Sequence, residues 1–300
     1  MQPVGILGVG RTAYAPQPGT AIPELVHRAV QAALADAVLT MRDVDARVTA
    51  SVDLWDGLTA SNVAITEVVG AVMQPETRVA GDGLLAACHA ALSILAGAYD
   101  VVLVVAHGKA SMGDARAITN WTFDPIYQQP LGLDDLSAAA LQAAALGAPT
   151  PLPGPPADGA AAIILAAAPG PITIRGMGWA LDEHYLGDRD LTAAPALRAA
   201  ARRAYTLAGV SNPGRELSVV ELSDHFPYQR TLWATALGLD ARGTINPSGR
   251  LARGVPPFVA GLDRLIEVVL RLREQPGKAL AHGCWAPAGQ GQAVVVVGRG

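Results

Sequence analysis

The chain reads as an α/β protein of two linked halves with a similar plan, and three observations lead there. Its 300 residues exceed one ordinary core, so two joined cores or one large α/β unit are expected. Hydrophobic residues make up 51 % and charged residues 16 % of it, so much of the chain has to be buried. The runs VVLVVA (101–106) and AVVVV (293–297) are apolar on both faces, the pattern of strands inside a covered sheet. A repeat of grammar adds to these. RAVQAALADAVLTMRDVDARVTASVD and LRAAARRAYTLAGVSNPGRELSVVEL both run helix, turn, strand.

Taken in order, PVGILG (3–8) is the first strand, and a Gly/Pro-rich loop follows to Thr20. Helical spacing of Ala, Val and Leu marks a helix over 22–39, with Pro23 in the first turn, where a missing N–H costs nothing. Arg42–Asp45 turns into the strand ARVTASV, and Asn62–Met73 reads as a second apolar helix. Ala80–Ser111 gives a Gly-containing turn, a small-residue helix, a Gly-bounded break and the buried strand. Between about 112 and 156 lies an excursion that carries Trp121, Phe123, Tyr127, a Pro/Gly cluster and an Ala-rich helix at 134–146. ADGAAAIILAAA (157–168) resumes the sheet, and Pro169–Pro171 divides the chain into halves 1–170 and 171–300. The second half then gives the strand PITIRGM, a helix at 191–208, the strand ELSVVEL, a helix over 256–274, a strand at 278–282, a Gly-rich loop and the last strand.

Several classes are excluded or set aside. No apolar run reaches the roughly 18 to 20 residues of a membrane helix, and no leader-like start is present, so a cytoplasmic protein is expected. Cys88 and Cys284 make neither a disulfide framework nor a CxxC spacing, and the histidines have no metal-ligand spacing. A net charge of −4 with scattered Lys and Arg gives no nucleic-acid footprint.

The motifs point further. Ala80, Gly83, Ala86, Ile94, Gly97 and Ser111 keep one gap-free spacing, closed by Lys109-Ala110-Ser111. ADGAAAIIL, INPSGRLARGVPPFVAG (245–261) and HGCWAPAGQGQAVVVV (282–297) follow in the same order. Together these resemble the thiolase superfamily, its sterol-carrier-protein and acetyl-CoA acetyltransferase branches included, over nearly the whole chain. The resemblance implies the thiolase fold: two mixed five-stranded sheets in an α-β-α-β-α five-layered arrangement. It also implies coenzyme A thioesters as substrate or ligand and no other cofactor. A homodimer, or a heteromer with a related thiolase or a small acyl-CoA-binding subunit, is the assembly expected.

A thiolase needs a thiolate at a helix N-terminus, a histidine to activate it and donors for the thioester oxygen. By the family pattern the nucleophile position is Ala80, the Gly-His-Pro histidine is Val255, and the first residue of the Asn-Glu-Ala-Phe-like motif is Ser223. All three are altered, which implies a non-acylating protein or partner subunit. The alternative is an enzyme on acyl-CoA thioesters, of acetyltransferase-like or retro-aldol type, with a non-standard site. Candidate residues for it are His225, Asp224 and Cys284, with Tyr228 near the same strand. Only one of the adjacent Asp224 and His225 is expected to face the pocket. Asp82 in the first turn is read as a helix cap, with a base as the alternative. Cys284 is expected in the terminal loop, one residue before Trp285, which takes the position of the family's second cysteine. Gly289 lines the same loop. Cys88, about 12 Å along the helix axis from Ala80, is expected to be packed. His107 is expected just past the buried strand, lining a turn. The excursion holds no basic cluster for nucleotide phosphates, with Lys109 and Arg116 the nearest cations.

Overall fold

The structure is a computed structural model, and it describes residues 3–152, 154–239, 245–250, 254 and 256–299. In the first half the elements are β1 (Val4–Arg11), α1 (Ile22–Ala37), β2 (Ala46–Ala50), α2 (Asp53–Asp56), β3 (Glu76–Val79), α3 (Gly83–Leu95) and β4 (Val101–Lys109). The excursion adds α4 (Ala115–Asn120) and α5 (Asp135–Ala145) before β5 (Asp158–Ala166). The second half runs β6 (Ile172–Leu181), α6 (Pro195–Ala208), α7 (Pro213–Glu216), β7 (Leu217–Glu221), α8 (Pro227–Ala236), α9 (Ala260–Glu274), β8 (Lys278–Trp285) and β9 (Gly291–Arg299).

Among the described residues the strands form one mixed sheet in the order β3-β2-β4-β5-β1-β6-β9-β8-β7. The halves meet where Val4–Ile6 of β1 pairs antiparallel with Ile172–Ile174 of β6. Three apolar cores give the five layers. The outermost α1 packs on Leu103, Val105, Ala162 and Ile164 of the first half. The central α3 and α9 are sandwiched between Val104, Ile163 and Leu165 on one side and Ala281, Val295 and Val297 on the other. On the far side α6 and α8 cover Leu280, Val294 and Val296. Each fully buried Val, Leu or Ile contributes about 1.5–3 kcal/mol relative to exposure. The strands therefore alternate between two apolar faces, which is why they read as unbroken hydrophobic runs.

The duplication is written in the backbone. PVGILGVGR (3–11) and PITIRGMGW (171–179) share Pro, then Gly-x-Gly, at matching places. A Cβ on Gly8 or Gly10 would stand 2.3 or 2.2 Å from the Ala33 or Ala29 carbonyl oxygen of α1. On Gly176 or Gly178 it would stand 2.1 or 2.3 Å from that of Ala204 or Ala200 of α6. Both outer helices ride on their first strand closer than any side chain allows.

Three expectations need correction. Asn62–Met73 is not a helix: a short 3-10 turn (Ser61–Ile65) is followed by turns, with Gly70 and Met73 at φ 68° and 56°. Its β-branched residues favour helix weakly, and Val63, Val72 and Met73 are exposed, so no single apolar face forms. His107 lies within β4, buried, its Nε2 2.7 Å from Asp56 Oδ2. The second half has four strands, and the place of a fifth is marked by a single parallel bridge, Val220 to Ile245.

Candidate active site

The N-termini of the two central helices meet at one carboxylate. Asp82 accepts from the Leu84 N–H of α3 (2.8 Å) and, with its other oxygen, from the Gly261 N–H of α9 (2.9 Å). It is buried, and a Cβ on Gly261 or Gly283 would lie 2.0 or 2.5 Å from its Oδ1. Burial pushes the Asp82 pKa up to about 7, opposed by the two N–H donors. Asp82 is thus a cap for two helices, turned inward. Ala80, which the sequence resemblance would put at the nucleophile position, is exposed and carries no reactive atom.

Cys284 sits at the end of β8 rather than in the loop, because that strand runs on to Trp285 against β9. Its thiol is buried and donates to the Ser223 carbonyl (3.2 Å). Burial, and then the charges of Asp82, Asp224 and Asp135, push its pKa well above the ordinary thiol value. Cys88 is fully buried in α3, its pKa raised to about 12. Trp285 fills space beside Gly81 and Gly291: its Cε2 would be 2.1 Å from a Cβ on Gly291, and its Nε1 3.5 Å from one on Gly81.

The segment after β7 is held rigidly. Asn246, at φ 52°, accepts from the Leu222 N–H (2.5 Å) and donates to the Leu222 carbonyl and to Asp224 Oδ1 (2.6 Å). Ser248 donates to Glu221 from both its N–H and its hydroxyl. The Asn-Pro-Ser motif is therefore a clamp on the end of β7. Ser223 is buried, its Oγ donating to the His282 carbonyl (2.8 Å). Its N–H donates to His282 Nδ1 (3.3 Å), while His282 Nε2 donates to Gln292 Oε1 (2.6 Å). Both ring nitrogens are used by a neutral imidazole, in keeping with a pKa that burial lowers to about 4. His282 is structural.

Asp224 and His225 do face different ways. Asp224 is buried and paired with Arg230 Nε (2.6 Å); burial raises its pKa, and Arg230 opposes the rise. His225 is exposed. Desolvation by the protein around it, then the Arg264 charge, lower its pKa to about 4, so the imidazole is neutral at pH 7. One turn into α8, the Tyr228 hydroxyl donates to Gln142 Oε1 of α5 (3.1 Å). Gly289, at φ 67°, abuts Trp233 and accepts from Gln292 Nε2 (2.6 Å). The cavity beside it is only about 10 Å³, the space of one water. Val255 lies outside the described residues.

Two features were missed in the sequence. Asp135 opens α5 with its Oδ1 buried and, among the described residues, without a hydrogen-bond partner, and burial raises its pKa to about 6. The pair Asp134-Asp135 at the start of the Ala-rich helix was the available signal. The second is an ion network below the site. Arg264, fully buried, reaches Glu221 and Asp263 (both 2.6 Å), and Asp263 also meets Arg11 (2.9 Å) and accepts from Tyr14 (3.0 Å). Arg11 and Arg250 meet Glu267 at 2.5 and 3.5 Å. Its members come from four separate segments, so spacing could not reveal it. Lys109 and Arg116, the cations nearest the excursion, are both engaged. Lys109 is buried against Asp158 (3.2 Å) and the Gln17 carbonyl (2.6 Å), and Arg116 pairs with Asp134 (2.5 Å). Among the described residues no metal-binding cluster occurs, and no helix is long and apolar enough to cross a membrane.

Neither a family model nor a curated protein sequence matches this chain. Solved structures do. The chain aligns over 100 % of its length with 99 % of human mitochondrial 3-ketoacyl-CoA thiolase, at TM-score 0.74 and 18 % identity. It covers 77 % of a monomeric SCP2-thiolase-like protein type 1 from Mycobacterium smegmatis, at TM-score 0.67 and 19 % identity, with 99 % of this chain aligned. A chain of the Ltp2-ChsH2(DUF35) aldolase aligns over 98 % of its length with 99 % of this one, at TM-score 0.71 and 18 % identity. With its five layers and its paired central helices, the chain has the thiolase fold.

Proposed function

We propose that this protein is a thiolase-superfamily member that forms no cysteine acyl-enzyme and works as a non-acylating subunit beside a partner. One observation carries the reading. By the sequence resemblance the nucleophile position is Ala80, and Cys284 is buried in a strand, bonded to a carbonyl and kept protonated by burial and three carboxylates. A protonated, enclosed thiol is a poor nucleophile. The engaged Lys109 and Arg116 also argue against a nucleotide grip of the family's kind on coenzyme A. A similar fold in an aldolase that includes a DUF35 chain makes a small second subunit the partner to seek. The test is incubation of the purified protein with acetyl-CoA and acetoacetyl-CoA, followed by peptide mass spectrometry. No acylated cysteine and no thiolysis are expected. Acylation of Cys284, or thiolysis lost in Cys284→Ala, overturns the reading.

A second reading is favoured by His225, a residue exposed to water whose imidazole is neutral. In that case the protein performs retro-aldol cleavage of a thioester substrate, with His225 moving the proton. Such a group is worth about 10²–10⁴ in rate. Its activity would persist down to the acid limb set by the lowered imidazole pKa and fall by at least about a hundredfold in His225→Ala. A variant with full activity removes this reading.

A further inference from the structure

The two halves treat one matching groove differently. Beyond its short pairing with β6, the Val9 N–H of β1 leaves the sheet and is accepted by Asp36 Oδ2 of α1 at 2.8 Å. Arg273 of α9 grips the same carboxylate at 3.0 and 2.7 Å. A side chain of the protein thus closes the groove between α1 and α9.

The duplicated contacts name the matching residues in the second half. Gly8 on Ala33 corresponds to Gly176 on Ala204, which carries Val9 onto Met177 and Asp36 onto Leu207. A Cβ on Gly83 would lie 2.8 Å from Leu262 Cβ, and one on Gly261 2.8 Å from Leu84 Cβ, which carries Arg273 onto Leu95. Val9 faces Ile163 across β1 and β5 as Met177 faces Val295 across β6 and β9. In an antiparallel ladder the outward N–H at Val9 then has its counterpart at Met177. Both members of the closing ion pair are leucines here. Among the described residues no side chain accepts from the Met177 N–H.

What stands in their place is a cleft of about 440 Å³, walled by Leu92, Met177, Trp179 and Leu207 and bordered by Arg202 and Arg203. That volume is in the range of small-molecule sites. Both arginines are exposed, and among the described residues neither pairs with a carboxylate. Arg203 is the nearer to the strand, its Cβ lying 2.9 Å from a Cβ placed on Gly178.

We infer that this cleft binds a small apolar molecule ending in a carboxylate. The ligand's carboxylate takes the part that Asp36 plays in the first half, accepting from the Met177 N–H and pairing with Arg203. Its apolar body lies against Leu92, Trp179 and Leu207. The cleft lies between α3 and α6 and includes neither His225 nor Cys284, so the inference does not rest on the proposed function.

Titration calorimetry with decanoate tests this, using decanol as the probe without the charge. Saturable one-to-one binding of decanoate is expected, with decanol weaker by about tenfold or more, the worth of a charged hydrogen bond. Leu207→Asp supplies the first half's carboxylate, and Arg203→Gln removes the ligand's partner. Each should weaken decanoate about tenfold or more. Both sites are exposed, and circular dichroism and thermal unfolding verify that the variants remain folded. His225→Ala should leave binding unchanged. No saturable binding, equal binding of decanol, unaltered binding in Leu207→Asp, or binding lost in His225→Ala overturns the inference.

Discussion

Where the first strand of each half crosses a central helix, the same backbone carries opposite chemistry. In the first half Arg11 of β1 meets Asp263 and Glu267 of α9. In the second half the matching Trp179 of β6 lies over His89 of α3, ring centroids 5.8 Å apart. Duplication has kept the Gly-x-Gly that lets the outer helix approach, because no side chain substitutes for absent atoms. It has left free how the crossing is filled. Ions there have to come as a complete set, since a buried charge without its partner costs several kcal/mol. The aromatic crossing carries no such condition, and it stands beside an open cleft.

The largest effect expected is from breaking the ionic crossing. Asp263→Asn leaves Arg264 and Arg11 short of a counter-charge and should cost about 3–5 kcal/mol in urea unfolding. Trp179→Ala, the matching cut, should cost less because the residue is only partly buried. A larger loss there would invert the comparison. Next come the glycines: Gly8→Ala and Gly176→Ala should each lose about 3 kcal/mol, the upper end of overpacking. Unequal losses would show that the two crossings are not equivalent. Asp36→Leu copies the second half's groove into the first and should cost about 1–2 kcal/mol, from a hydrogen bond to a charged group on a partly exposed side chain. Its reverse, Leu207→Asp, should change stability by under about 1 kcal/mol.

A pH test addresses the carboxylate shared by both central helices. The folded Asp82 pKa, near 7, lies above the ordinary value of 3.8. Its proton is therefore held more tightly in the folded state, and the stability this adds is complete below about pH 3.8. It is lost as pH rises toward 7. Asp82→Asn does not titrate, so the stability gap between wild type and variant should narrow from pH 4 to 7. A gap that widens would show that the helix N-termini hold the anion.

The legible parts were those in which local pattern and tertiary role coincide. Apolar strands sandwiched between layers leave continuous hydrophobic runs, and the Ala/Leu periodicity of α1 and α6 is the imprint of their single buried faces. Asp82 could be read as a cap for α3. That it also caps α9, far along the chain, could not. The family pattern puts Cys284 in the terminal loop, whereas pairing with β9 extends the strand through it. The apolar content of Asn62–Met73 suggests a helix, although its β-branched residues share no face. The Arg264 network escaped because its members come from separate segments, and Asp135 because its burial is set by the fold rather than by its place at a helix start.

Residue identity alone determined that position 80 is alanine, with no reactive atom, and that the first strands of the two halves share their glycines. Those facts need no coordinates, since an absent thiol or an absent Cβ is a property of the residue. Only the tertiary structure decided that Cys284 is sealed and protonated, that His225 is reached by water, and that one groove is closed by Asp36 while its twin stays open. Burial and long-range pairing set protonation and access. They depend on which segments meet, which spacing along one chain does not encode.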